Sequence, residues 1–323
     1  MKRLLIGLLS ATALAACTPT AEAPANAGAP PTNGAAAQTA SALPDADPAM
    51  WVVRDEDTTI YLFGTFHLLD GKTDWFNDEV RVAFDQSREL VFEIDMTGGD
   101  AAMAQAMQPL IMRYAIDQQG RKVSADLSAE QNRILNEALA GLGAPPGAFD
   151  SFEPWFVSLS LSAAVAQKLG LTGENGAEAV LRRAAEGRGN MTFGAVETLE
   201  SQIQMFDSAP RASQIRSLKE TLDDMDEMTS ELPRMLAVWN SGDAAGLEQV
   251  MNEGLRENPE MRRALLENRN RKWAEWIDDR MDRPGTVFMA VGAGHLTGAD
   301  SVQVFLQQRN IGSERVPRLT AGR

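Results

Sequence analysis

The 323-residue chain has very little of the chemistry that most often builds reactive or braced sites: one cysteine and two histidines. A lone cysteine, Cys17, rules out an internal disulfide and any thiolate metal cage in the domain that follows it. Positive charge is also scarce. Lys and Arg number 30 against 45 Asp and Glu, a net charge of −15 at pH 7. That balance argues against nucleic acid as a partner, since phosphate backbones are held by a surplus of cations. The one sustained apolar run at the N-terminus, Leu4 to Leu14, is too short to span a bilayer as a permanent helix. No repeat of fixed length is present.

The N-terminal run reads instead as a secretory signal. Lys2 and Arg3 precede it, and Leu14-Ala15-Ala16-Cys17 closes it in the manner of a bacterial lipobox. Residues 1–16 are therefore expected to be removed, leaving Cys17 lipidated. The alternative is an ordinary cleaved signal with an incidental cysteine. Thr18, not Asp, comes next, so no inner-membrane retention signal is evident. The expected location is the periplasmic face of the envelope, at the outer membrane, with the lipid as the membrane contact. Residues 17–48, rich in Ala, Pro, Thr and Gly, read as a tether that buries too little surface to fold. Residues 49–323 are long enough for one large domain.

Strand signals are few. Trp51 to Arg54 and Thr58 to Phe63 predict a hairpin around Asp55-Glu56-Asp57. Glu89 to Ile94, Met191 to Val196 and Thr286 to Val291 predict three more strands, and Glu314 to Val316 an edge strand. Helical spacing covers Trp75 to Ser87 and Asp300 to Arg309. Most of the segment from about 101 to 281 is helical too, including one long helix from Pro210 to Ser241 and a capping box at Ser128. The expected fold class is α/β: a largely parallel or mixed sheet flanked by helices, with the helical insertion forming a cap.

Both histidines occupy the same frame. Gly64-Thr65-Phe66-His67 follows the run Ile60 to Phe63, and Gly292-Ala293-Gly294-His295 follows Val287 to Val291. In open parallel sheets, ligands bind beyond the carboxyl ends of the strands. Both histidines fall there, as does Glu93 in Val91-Phe92-Glu93-Ile94-Asp95. A carboxylate at the end of an apolar strand is costly unless it is paired, hydrogen-bonded or metal-bound. Two imidazoles and a carboxylate fit a divalent metal with open positions, or a metal-free site with a histidine base oriented by Glu93. The glycines read as tight turns or points of close backbone approach. Asp95 and Asp70 read as turn or cap residues, and Asp223, Asp224, Asp226 and Glu227 as a solvated helix face.

These motifs resemble the TraB/GumN family, whose wider group includes the TIKI secreted proteases. The resemblance rests on Leu62 to His67, Val91 to Asp95, Val196 to Gln202, Asn268 to Trp273 and Thr286 to Leu296, in order and spacing. It implies an α/β fold with a helical cap and a site carrying two Gly-X-X-His motifs and an acid. It also implies a metal-dependent protease using manganese- or cobalt-like ions; the donor types admit Zn²⁺ and Fe²⁺ as well. By matched motif, the catalytic residues would be His67, Glu93 and His295, which are also the metal ligands. Arg269 and Asn270 would stabilise an oxyanion or orient a ligand. The chain departs from the family at Gly176-Ala177-Glu178, where the family carries Gly-Val/Ile-Asp.

The expected function is a lipid-anchored, metal-dependent hydrolase of a peptide or other amide bond. The alternatives are a metal-free esterase-like hydrolase with a histidine base, and a non-catalytic haem- or metal-binding lipoprotein. The anchor is testable at once. Cys17→Ser should release the protein from membranes or leave its signal uncleaved; unchanged partitioning after cleavage at residue 16 would refute lipidation.

Overall fold

The computed structural model describes residues 43–319, apart from 253–254 and 256–258. The signal, Cys17 and most of the tether lie outside the described residues. A six-stranded sheet forms the centre, in the order β4-β3-β5-β2-β1-β6. Strands β1 (Met50–Arg54) and β2 (Thr58–Thr65) are the expected hairpin. Its acidic turn is closed by the Asp55 carboxylate, which accepts from the backbone N–H groups of Asp57 and Thr58. β2 runs parallel to β5 (Gly285–Gly292), and β3 (Glu89–Phe92) lies parallel to both β5 and β4 (Thr192–Ala195). β6 (Glu314–Arg315) pairs antiparallel with β1 at the edge. The sheet is thus mixed, with its four parallel strands β2, β5, β3 and β4 side by side.

Alternation along these strands builds two cores. Phe63, Leu90, Phe92, Phe288 and Ala290 face one side. Covering them are α1 (Asp78–Gln86), α5 (Ala177–Arg188), α8 (Met225–Asn240) and α9 (Ala244–Met251). Ile60, Leu62, Val91, Val287, Met289 and Val291 face the other side, under α10 (Asn268–Met281) and α11 (Val302–Gln308). Helices α2 (Gly99–Leu110), α3 (Ala129–Gly141), α4 (Pro154–Lys168), α6 (Leu199–Asp207) and α7 (Arg211–Asp223) pack largely on one another in satellite clusters. Ser128 does form its capping box with Gln131. No helix among the described residues is long and apolar enough to cross a membrane.

Three local expectations change. The single helix predicted over Pro210 to Ser241 is two, α7 and α8, broken at Asp224. Leu218 and Leu222 bury against α3 and α4, whereas Leu232, Met235 and Trp239 bury against the sheet. The two halves serve largely different cores. Besides the expected strand β4, the segment 101–281 holds the core helix α10, so only part of it stands apart from the sheet. Finally, order begins before residue 49. Asp74 donates its N–H to the Pro44 carbonyl, Ala46 donates to Asp74, and Asp47 donates to Asn240. The last residues of the expected tether are therefore part of the domain.

One glycine holds the β2 strand end against α5. A Cβ on Gly176 would stand 2.0 Å from the His67 carbonyl oxygen, a backbone atom with little room to yield. Gly176→Ala should cost about 1–3 kcal/mol, the usual range for overpacking. Gly187→Ala, in the same helix with nothing within 4 Å of the new Cβ, should be neutral or stabilising by up to about 1 kcal/mol. Urea midpoints of the two variants check the contrast.

Candidate functional site

The two glycine–histidine frames lie side by side. In the parallel β2·β5 ladder, Gly64 pairs with Val291 and Thr65 with Gly292, so the frames run in the same direction, offset by one rung. His67 stands two residues beyond β2, and His295 lies in the 3-10 turn Ala293–Leu296 that follows β5. Glu93 is the first residue after β3, on the other side of β5. All three are more than nine-tenths buried. The glycines act by clearance and by donation, not by tight turns. None of Gly64, Gly292 and Gly294 has a positive φ. A Cβ on Gly64 would meet the Ala293 Cα at 3.0 Å, and the Gly292 N–H donates to Glu93 Oε1 at 2.7 Å.

Arg269, in the second residue of α10, ties the site together. Its Nη2 donates to Glu93 Oε2 at 2.5 Å and its Nη1 to His295 Nε2 at 2.9 Å. Its Nε and Nη2 hold both oxygens of Glu197 at 2.8 and 2.9 Å. Glu197 also accepts from the Trp273 indole at 3.0 Å, and the guanidinium lies over the Trp273 ring. Gln202 donates to Glu93 and Glu197 alike. His295 is fixed from its other nitrogen by Asn270, whose Oδ1 lies 2.6 Å from Nδ1. Since Arg269 is obligatorily a donor, Nε2 is the acceptor and Nδ1 carries the proton. His295 and Glu93 approach to 3.9 Å.

His67 has a different carboxylate. Its Nδ1 lies 2.6 Å from Glu178 Oε1, at the start of α5. Glu178 is buried, and its Oε2 has no hydrogen-bond partner. The extra methylene of Glu178 relative to the family's Asp therefore still reaches the first histidine. The sequence singled out Glu178 only as a departure. Glu197 and Gln202 lay inside a matched block, the one signal that marked them. Asp95 and Asp70 make turn bonds to Thr97 and Lys72, and Asp223 accepts from Gln131 on the helix surface, as read from sequence.

Charges follow this wiring. Burial pushes Glu93 up, but Arg269, the two imidazoles and the Gly292 N–H outweigh it and hold its pKa at about 2. Burial, reinforced by Arg269, presses His295 down to about 3, so its imidazole is neutral at any physiological pH. Among the described residues, only Asp45, Asp47 and Asp78 bring three acidic or imidazole donor atoms within 4.8 Å of one another, at the surface and far more exposed. The His67, Glu93 and His295 set is more open than that: His295 and Glu93 approach to 3.9 Å, but His67 brings no ring nitrogen within 4.8 Å of both.

A model of the TraB/PrgY/gumN family matches residues 49–315. Among curated proteins, an uncharacterized protein of Treponema pallidum (strain Nichols) is 23% identical over 279 residues, covering 81% of this chain and 80% of that one. The uncharacterized protein YbaP of Escherichia coli (strain K12) is 26% identical over 181 residues, 56% of this chain and 66% of YbaP. No solved structure matches the chain significantly.

The neutral, buried His295 predicts an acid-labile fold. Its folded pKa lies below the unfolded value near 6.5, so its contribution is fully present above that value and is lost as pH falls toward 3. Each pH unit in that window should cost about 1.4 kcal/mol from this group. Glu93, depressed to about 2, adds a loss of the same sign below about 4.5. Unfolding free energies of the wild type and His295→Gln between pH 7 and 5 should converge as pH falls. Parallel curves would show that His295 is not held neutral.

Proposed function

The chain belongs to the TraB/PrgY/gumN family, and on that basis we propose that it is a metal-assisted hydrolase of peptide or other amide bonds, lipid-anchored at the periplasmic face of the envelope. One observation carries the reading: two imidazoles and a carboxylate, all buried, share the carboxyl edge of three adjacent parallel strands. That much buried ionisable chemistry costs stability and is kept where chemistry needs it.

The donors suit a divalent cation. Glu93 and Glu197 hold a single guanidinium, Arg269, and Glu178 pairs with His67, so three carboxylates stand at the site against one permanent cation. Glu178 Oε2 is a buried oxygen lacking a partner. Asn270 holds the His295 Nδ1 proton, which turns the Nε2 lone pair to the site, as outer partners of metal-bound histidines do. His67, Glu93 and His295 would hold the ion, with Arg269 giving up its contact to His295 while Glu197 retains its other edge. A bound ion would supply Lewis acidity and a water of lowered pKa.

The chain's own groups do the rest. Glu178 fixes the His67 ring through Nδ1, and Nε2 would take the proton of an attacking water. Arg269, whose N–H groups are all engaged with Glu93, Glu197, His295 and the Leu265 carbonyl, would turn Nη1 to an oxyanion on leaving His295. A metal-free hydrolase is the second reading, favoured by the fact that Arg269 already places a cation between Glu93 and His295.

His67→Ala and His295→Ala should each lower hydrolysis of a peptide mixture, followed by mass spectrometry, about 100-fold or more. Both should also lower the metal retained through chelator-free purification, measured by elemental analysis. Glu93→Gln should do the same but must be read beside its melting temperature, since it strips Arg269 of one of two buried carboxylates. Asp223→Asn with Asp224→Asn should change neither readout. Metal lost from that double variant and kept in both histidine variants would move the site elsewhere. Full activity in metal-free protein would select the second reading.

A further inference from the structure

Arg269 and a metal ion make the same claim on His295. The Nδ1 proton of that ring is held by Asn270 Oδ1 at 2.6 Å, so Nε2 carries the one lone pair the imidazole has to offer. Arg269 Nη1 takes that lone pair at 2.9 Å. One lone pair cannot serve an N–H donor and a cation together. Across the site, Glu93 accepts from Arg269 through Oε2, and its Oε1 stands 3.9 Å from His295 Nε2. Two donors held at about 2.0–2.2 Å by one ion lie at most about 4.4 Å apart, so this pair already has ligand spacing. The guanidinium bridges the two groups that an ion would bridge.

The rest of Arg269 is held so that Nη1 can leave His295 alone. Nε and Nη2 bind the two oxygens of Glu197 at 2.8 and 2.9 Å, and the cation lies over the Trp273 ring. Nη1 has a second acceptor, the Leu265 carbonyl at 3.3 Å, on the π-helical turn Arg263–Glu267 that leads into α10. Such turns are rare and concentrate at functional sites. A swing about the Glu197 edge frees His295 Nε2 and keeps the buried cation paired. Loss of the whole side chain would instead strand two buried carboxylates.

We propose that Arg269 is an internal competitor for the ion: its guanidinium ties Glu93 to His295 in metal-free protein, and an ion enters only by taking His295 Nε2 from it. The proposal rests on the metal reading given above and says what sets the affinity of that site. Two consequences follow from the exchange. Glu93 and His295 are satisfied before any ion arrives, so folding does not wait for metal as it does where the ion's binding free energy is the folding free energy. Every ion that uses His295 also meets the same displacement cost. Ions with little affinity for imidazole, such as Mg²⁺ and Ca²⁺, then stay out at concentrations where Co²⁺ and Zn²⁺ enter.

The test uses the mature protein, stripped by chelator and labelled with [¹⁵N]histidine. Only two histidines give signals, and a metal-free His67→Gln sample assigns them. Zn²⁺ should carry the His295 Nε2 resonance to that of a metal-bound nitrogen while Nδ1 keeps its proton, and excess Mg²⁺ should leave Nε2 in place. Competition with a chelating dye then gives Zn²⁺ and Co²⁺ affinities for the wild type and Arg269→Lys. Lysine keeps the charge but lacks the fork that spans both carboxylates and the imidazole. Both ions should therefore bind it roughly 10- to 100-fold more tightly, the worth of one hydrogen bond to a charged group. Ions bound by Arg269→Lys alone would be the same competition at its strongest. If that variant does not fold, the wild-type Nε2 titration decides. Zn²⁺ bound with Nε2 unmoved, or a folded Arg269→Lys that binds no more tightly than wild type, would overturn the competition and leave the metal reading standing. Neither ion bound by either protein would remove the metal reading and this proposal with it.

Discussion

The buried ion pair between Glu93 and Arg269 is the contact through which the sheet edge, the helical region and the second histidine are joined. Neither charge tolerates burial alone, since breaking such a pair strands the survivor in a low-dielectric interior. The site meets this by over-determining both partners. Glu93 takes Arg269, Gln202 and the Gly292 N–H, and Arg269 takes Glu93, Glu197, His295 and the Leu265 carbonyl. Gly292 ends β5, Gln202 is in α6, Arg269 is in α10 and Glu93 directly follows β3, so four elements meet there. The network therefore registers the helices on the strands.

The two histidines play unequal parts in that network. His295 is locked, neutral, packed at a tilt against Trp273 and held at both ring nitrogens. His67 is oriented from outside the network by Glu178, and a cavity with room for about one water lies beside it. Equal sequence frames have thus been given distinct electrostatic settings. The one-rung offset between β2 and β5 is the geometric cause, because it sends one turn toward α10 and the other toward α5 and α8. This asymmetry is what acid–base chemistry uses when it divides roles between two like groups.

Much of the architecture was legible in the chain. Period-two alternation gave the strands, and glycines after apolar runs marked where two of them end. Two histidines in one frame, with Glu93 after a third strand, located the site at a single edge. Arg269 and Asn270 were legible only as members of a matched block, and their partners were not. That Arg269 reaches Glu93 over 176 positions, or His67 reaches Glu178 over 111, has no local signature. The break at Asp224 was hidden for the same reason. Helical spacing runs through it, and the residues on either side pack into largely different cores.

The sequence by itself determined the acidic character of the chain, the α/β class, the strand ends and the identity of the buried reactive groups. Those follow from side-chain chemistry and short-range periodicity, which act within a few residues. The tertiary structure alone decided which carboxylate serves which histidine, that a guanidinium stands between Glu93 and His295, and that α8 and α9 wall a water-sized cavity at His67. These depend on packing between elements far apart in the chain, where the cost of an unpaired buried charge and the shape of the core select one arrangement among many.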